Sequence, residues 1–180
     1  MGSPAPHSPV VRLLAVITRH AEALAWSVER ATAAWGPVAL QSEAFAFAET
    51  DYYRATMGEG LTKTFLAFQQ RADPGDVGQW KHATNRWEGE YAALAVHAEP
   101  RPLNLDPGYI TLAKLVLAST KDHAHRIYLG DGMFAEVTLY FKGGQWLPRE
   151  WTFPDYRRPD YQQFFVRVRD LLRTGKAGLP

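Results

Sequence analysis

The residues from His125 to Pro148, HRIYLGDGMFAEVTLYFKGGQWLP, leave the chain few choices. Gly130-Asp131-Gly132 and Lys142-Gly143-Gly144 are tight-turn sequences, and the runs around them alternate apolar and polar residues. Alternation with period two puts one side of each run on a core. The stretch therefore predicts a three-stranded antiparallel meander, and a domain built around it carries a mostly antiparallel sheet.

The residues upstream supply the partners. Val10 to Arg19, VVRLLAVITR, is short, apolar and β-branched, which predicts a strand. HAEALAWSVERATAAWG follows as a helix, with Leu24, Val28, Ala31 and Trp35 at helical spacing and Gly36-Pro37 as its stop. VALQSEAFAFAE and LTKTFLAFQQ read as extended segments. DPGDVGQWKHATNRWEGEYAAL reads as a second helix, capped by Asp73, with Val77, Trp80, Thr84, Trp87, Tyr91 and Leu94 as its buried stripe. RPLNLDPGYI is a strand running into a turn at Asp106-Pro107-Gly108. TLAKLVLAST is read as a short buried helix from Leu112, Leu115 and Val116. RRPDYQQFFVRVRDLLR closes the chain as a helix with Tyr161, Phe164, Phe165, Val168 and Leu172 inward.

These elements predict an α+β fold, a mostly antiparallel sheet with helices on one face. The opening β-α-β-β-α order is compatible with a ferredoxin-like core carrying the added β-meander. Residues 1–9, rich in Pro, Ser and Ala, read as a disordered lead-in. Residues 10–174 read as one α+β domain and residues 175–180 as a tail.

Charge and composition narrow the function classes. The formal net charge is +1, so no global basic field advertises nucleic acid or a membrane surface. The halves lean oppositely: residues 1–100 hold 8 Lys/Arg against 11 Asp/Glu, and residues 101–180 hold 12 against 8. There is no cysteine, which removes thiolate catalysis and thiolate metal sites and fits a reducing cytoplasm. No apolar run reaches the length of a membrane span.

The best candidate site is the junction Ser119 to Leu129, STKDHAHRIYL, with Lys114 just upstream. Lys114, Lys121, His125 and Arg126 lie within thirteen residues. Arg126 offers a planar fork and Lys121 a point charge for a phosphate or carboxylate, and His125 can donate a proton near neutral pH. An anionic small molecule or nucleotide held there would have its neutral part oriented by Asp51, Asp106 and Tyr109. Asp155, in WTFPDYR, and Asp51, in TDYYRATMG, belong to mixed aromatic and charged loops that either line a pocket or fasten loops to the sheet. The catalytic candidates are His125 and Asp106.

Two rival readings share these residues. His123 and His125 project from one face of an extended run, a metal-ligand spacing, with Glu136 on the facing strand as third donor. A two-residue turn puts Glu136 opposite Ile127 on the histidine face. A three-residue turn puts it opposite Arg126, as an ion pair. Alternatively the domain is a non-enzymatic module binding RNA or a protein through loop aromatics and the basic half.

The stretch NLDPGYITLAKLVLASTKDHAHRIYLGDGMFAEVTLYF, with TDYYRATMGEGL before it and WTFPDYR after it, resembles the prokaryotic family known as domain of unknown function 4416. Its marker is the DPGY sequence at Asp106 to Tyr109. The resemblance covers nearly the whole chain and implies membership without an activity. Some members carry a GTP-binding label, which MGEGLTKTF, Met57 to Phe65, can be asked to support. A phosphate-cradling loop needs glycine immediately before its lysine and a helix after it. Leu61 and Thr62 separate Gly60 from Lys63, and a strand-like run follows, so the segment reads as a glycine turn.

Overall fold

β1 (Val10–Thr18) is buried along its whole length except at Arg12. An apolar run without alternation signals a strand covered on both sides, and that is how the molecule is built. The structure is a computed structural model describing residues 2–50 and 52–175. After β1 come α1 (Ala21–Trp35), β2 (Val38–Gln41), β3 (Phe45–Ala46), the single turn α2 (Arg54–Met57), β4 (Thr62–Ala72), α3 (Val77–Ala92) and β5 (Asn104–Ile110). Then follow β6 (Lys114–Ser119), β7 (Ile127–Gly130), β8 (Met133–Lys142), β9 (Gln145–Pro148) and α4 (Pro159–Thr174). Among the described residues, no helix is long and apolar enough to cross a membrane.

The sheet runs β2-β4-β1-β5-β6-β8-β7, with β3 on β4 and β9 on β8, and every pairing is antiparallel. Its first half, β1-α1-β2-β4-α3-β5 in the order β2-β4-β1-β5, has the ferredoxin-like connectivity. α1 and α3 pack Ala31, Trp35, Val77, Trp80 and Trp87 against Leu14, Val16, Leu66 and Phe68 on one side. The helices are not confined to that side. α4 covers the other, setting Tyr161, Phe164, Phe165, Val168 and Leu171 on Leu13, Ala15, Phe65 and Ile110. The apolar residues of α4 recur every three or four positions, the stripe expected of a helix with one wet face.

Three local expectations are corrected. Lys114–Ser119 is strand β6, not a helix: both its edges are hydrogen-bonded, to β5 and to β8, and Leu115 and Leu117 face α4 while Ala118 faces the opposite core. A run buried on both sides looks alike in either state until its neighbours are known. Asp106-Pro107-Gly108 lies inside β5, not in a turn. Pro107 has no N–H to give β6, and the β5–β6 ladder runs only from Gly108 to Ile110. A Cβ on Gly108 would stand 2.2 Å from the carbonyl oxygen of Val116, so glycine there lets β6 approach. Finally, β7 and β9 do not flank β8 as a simple meander. β6 occupies one edge of β8, and β7 and β9 share the other, β7 near Ala135 and β9 near Tyr140.

Below Gly108 the two central strands separate, and α3 closes the gap. The N–H of Leu105 donates to Glu88 Oε1 at 2.8 Å, and its carbonyl accepts from Lys81 Nζ at 2.8 Å. Two side chains of a helix thus take the place of the missing strand, since buried backbone groups need partners.

Candidate functional site

At this end of the sheet, where β5 and β6 part, the α4 side opens into a cleft of about 550 Å³. That is within the range of small-molecule sites. Its floor is Lys63 from β4, Asn104 and Asp106 from β5, Leu117 to Ser119 from β6 and Glu136 from β8. Its walls are three loops: Phe47, Glu49, Tyr52 and Tyr53; Lys121, His123 and Arg126; and Phe153, Asp155 and Tyr156. Mixed aromatic and charged loops from distant parts of the chain therefore meet around one hollow.

The floor is charged, and its lysines are buried. Lys63 and Lys81 are only 4% and 5% exposed. Lys63 forms an ion pair with buried Asp155 and lies over the rings of Phe47, at 4.3 Å, and Tyr156, at 4.8 Å. Lys81 reaches through the gap to Asp106 Oδ1 at 3.0 Å. Asn104 Nδ2 donates to the other Asp106 oxygen at 2.8 Å. Arg101 joins this group through Asn104 and through Glu88 at 3.0 Å. Burial alone would raise the Asp106 carboxyl, but the ammonium of Lys81, its hydrogen bond and the charge of Lys63 outweigh it, and the group sits below its ordinary range. Glu88 goes the other way: burial raises it, against the pull of Lys81 and Arg101. Burial, with Asp106 close by, pushes the Tyr53 phenol up.

The opening stretch of charge forms a second group along the wall. Glu136, buried on β8, takes Arg126 Nε at 2.9 Å and His125 Nε2 at 3.0 Å on one oxygen, and the Thr138 hydroxyl at 3.0 Å on the other. Arg126 also donates to Ser119 Oγ at 2.7 Å and to the carbonyl of Lys121 at 3.0 Å. β7 carries one extra residue between Tyr128 and Gly130, so Ile127 faces Ala135 and the neighbouring Glu136 meets Arg126. The ion-pair register is the one adopted. His125 stacks on Trp151 with ring centres 5.2 Å apart, and His123 touches it edge-on at 5.8 Å. His125 does not line the cleft; it lies behind it, on Glu136.

Of the residues singled out from sequence, Lys121, Arg126, Asp106 and Asp155 line the cleft, as do His123 and Glu136. Tyr109 does not. It is three residues beyond Asp106 and lies on the α1–α3 side, edge-on to Trp80 at 6.4 Å. Lys114 is at the far end of β6, opposite Tyr140, and is also outside the cleft. Asp51 lies outside the described residues. In MGEGLTKTF both glycines have positive φ, 77° and 72°, as a turn requires, and Lys63 is in strand β4.

Lys63, Lys81, Glu88, Arg101 and Asn104 were not anticipated. For three of them a signal existed. Lys63 precedes Phe65 by two residues in a strand, so it shares the inward side of that strand. Lys81 is four residues after Val77, within the buried stripe of α3. Asn104 precedes Asp106 by two residues in β5 and shares its face. Arg101 follows an irregular loop and carries no periodicity.

The family model described as Domain of unknown function (DUF4416) matches residues 8–171. No curated protein and no solved structure matches the chain.

Proposed function

The chain belongs to the DUF4416 family, and from the cleft we propose that it binds an anionic small molecule of the nucleotide or phosphometabolite class. The observation that carries the reading is a charge imbalance at the mouth. Within the cleft Lys63 is matched by Asp155, Lys81 by Asp106, Arg101 by Glu88 and Arg126 by Glu136. Glu49 is matched by Arg158. Lys121 is an exposed cleft cation that pairs with no carboxylate among the described residues.

Its ammonium lies 3.8 Å over the Tyr52 ring, where its hydrogen bond and charge lower the phenol. Ser119, Thr120 and His123 line the cleft beside it. An anionic group seated on Lys121 would extend its neutral part inward between Tyr52, Tyr53 and Phe153, toward Asp106. In this reading Arg126 frames the mouth, and His125 is a positioning residue that acts through Glu136. Asp106, ionised and facing the cleft, is the group placed to accept a hydrogen bond or proton from the ligand. The protein is assigned to the cytoplasm, as a chain without cysteine allows.

The test is a thermal-shift panel of nucleotides and phosphorylated metabolites. At least one should raise Tm, and Lys121→Ala should abolish that rise while leaving the unliganded Tm unchanged. A panel without any shift, or a shift that Lys121→Ala leaves intact, rejects the reading. Binding of single-stranded RNA that weakens steeply with salt would favour the module alternative instead.

A further inference from the structure

On the α1 side of the sheet, outside the cleft, two imidazoles lie face to face. His20 and His97 have ring centres 3.6 Å apart and planes 17° from parallel. Glu22 completes the group: one ligand atom from each of His20, Glu22 and His97 lies within 4.8 Å of the others, and among the described residues this is the one group of three such donors. We propose that His20, His97 and Glu22 bind a divalent transition metal of the zinc class.

The donor chemistry is right for such an ion. Two neutral imidazoles and one carboxylate form the set used by zinc sites that keep a fourth position for water. At zinc–ligand distances near 2.1 Å, neighbouring donors of a tetrahedral site stand about 3.3–3.5 Å apart, so the group, whose atoms lie within 4.8 Å of one another, must contract by up to about 1.4 Å. The Glu22 side chain is 66% exposed in the first turn of α1 and is free to move. His20 makes no side-chain capping bond, and its ring would pivot about its contact with Glu99 to open the stack.

The residues around the group are those that orient metal ligands. His97 is the least exposed member: its side chain is 6% exposed, its Nε2 lies 3.9 Å from Glu22 Oε1, and the Tyr91 hydroxyl at 2.9 Å from the same nitrogen would give way to the ion. Glu99 takes His20 Nε2 at 3.1 Å and is itself held by Arg19 at 3.2 Å. A carboxylate behind a ligating histidine fixes its ring and raises its basicity. The two histidines come from distant parts of the chain, the start of α1 and the irregular segment between α3 and β5. A bound ion would therefore fasten the segment that leads to Arg101 and Asn104 in the cleft.

The experiment is a Zn²⁺ titration of the chelator-treated protein, followed by calorimetry and by Tm, with Co²⁺ substitution as a spectroscopic readout of tetrahedral coordination. One equivalent should bind at micromolar concentration and raise Tm by about 5 °C or more at a hundredfold excess over Kd. Glu22→Gln, at an exposed position, should keep the metal-free Tm and weaken binding by about tenfold or more. His20→Gln should weaken it further and remove the tetrahedral Co²⁺ spectrum. The proposal is overturned if no saturable binding occurs, or if Glu22→Gln and His20→Gln bind Zn²⁺ as the native chain does, which would place the ion on other histidines.

Discussion

The sheet face under α4 uses the same three strands in two opposite ways. In one region β4, β5 and β8 present Phe65, Ile110 and Leu139 to the aromatic stripe of α4. In the other, a few residues along, they present Lys63, Asp106 and Glu136 to the cleft. Both regions are largely buried. The first gains from apolar area removed from water. The second holds only because each buried charge meets an opposite one, an arrangement that adds little net stability but is costly to break. The contrast teaches that the cleft is not a fault in the core: the chain holds charges there at a cost that the apolar half offsets, and such spending of stability is typical of sites.

The buried ion pair of Lys63 with Asp155 separates the two regions most sharply. Asp155→Ala leaves the Lys63 ammonium buried without its carboxylate and should cost about 3–5 kcal/mol in chemical denaturation. The paired change of Lys63→Met with Asp155→Leu should restore most of that loss. If Asp155→Ala proves neutral, water reaches Lys63 and the two regions are less different. A smaller effect is expected where the regions join. Gly108→Ala forces β5 and β6 apart against the Val116 carbonyl and should cost about 1–3 kcal/mol. It should also weaken any ligand that stabilises the native protein, because the cleft opens just beyond that contact.

The pH dependence separates the regions more gently. The folded state holds Asp106 below its ordinary range, so this carboxylate stabilises the fold fully above the unfolded aspartate value, roughly pH 4. That contribution is lost as pH falls through the lower folded value. Asp106→Asn should flatten the acid limb of a stability–pH curve, and Phe165→Ala should shift the curve without changing its shape. The smallest change belongs to an ion pair outside the comparison. The Arg30 and Glu90 side chains are 38% and 39% exposed, far more than those of Lys63 and Asp155, and Arg30→Gln should move stability by less than about 1 kcal/mol, a check that buried pairing rather than pairing itself matters.

Much of the fold was legible because its elements are local. The β7–β8–β9 turns, the Asp73-capped turn that leads into α3 and the stripe of α4 each follow from spacing and turn chemistry. Where the reading failed, a distant partner had decided the outcome. The β6 segment is extended because β5 and β8 both claim its backbone, and DPG is strand because β6 crosses close to Gly108. The site was half legible. Lys121, Arg126 and Asp106 carry chemistry in plain view. Lys63 and Lys81 looked like ordinary charges in a strand and a helix, and Tyr109 was drawn toward the site by its nearness in sequence to Asp106, although alternation puts it on the other face.

Periodicity and turn residues were enough to determine an antiparallel α+β architecture, because each rests on interactions within a few residues. Which side each helix covers, where β5 and β6 separate, and which cleft cation lacks a carboxylate among the described residues were decided only on folding. Those outcomes depend on packing and on charge pairs between residues tens of positions apart, such as Lys63 with Asp155 or His20 with His97, and no local pattern encodes them.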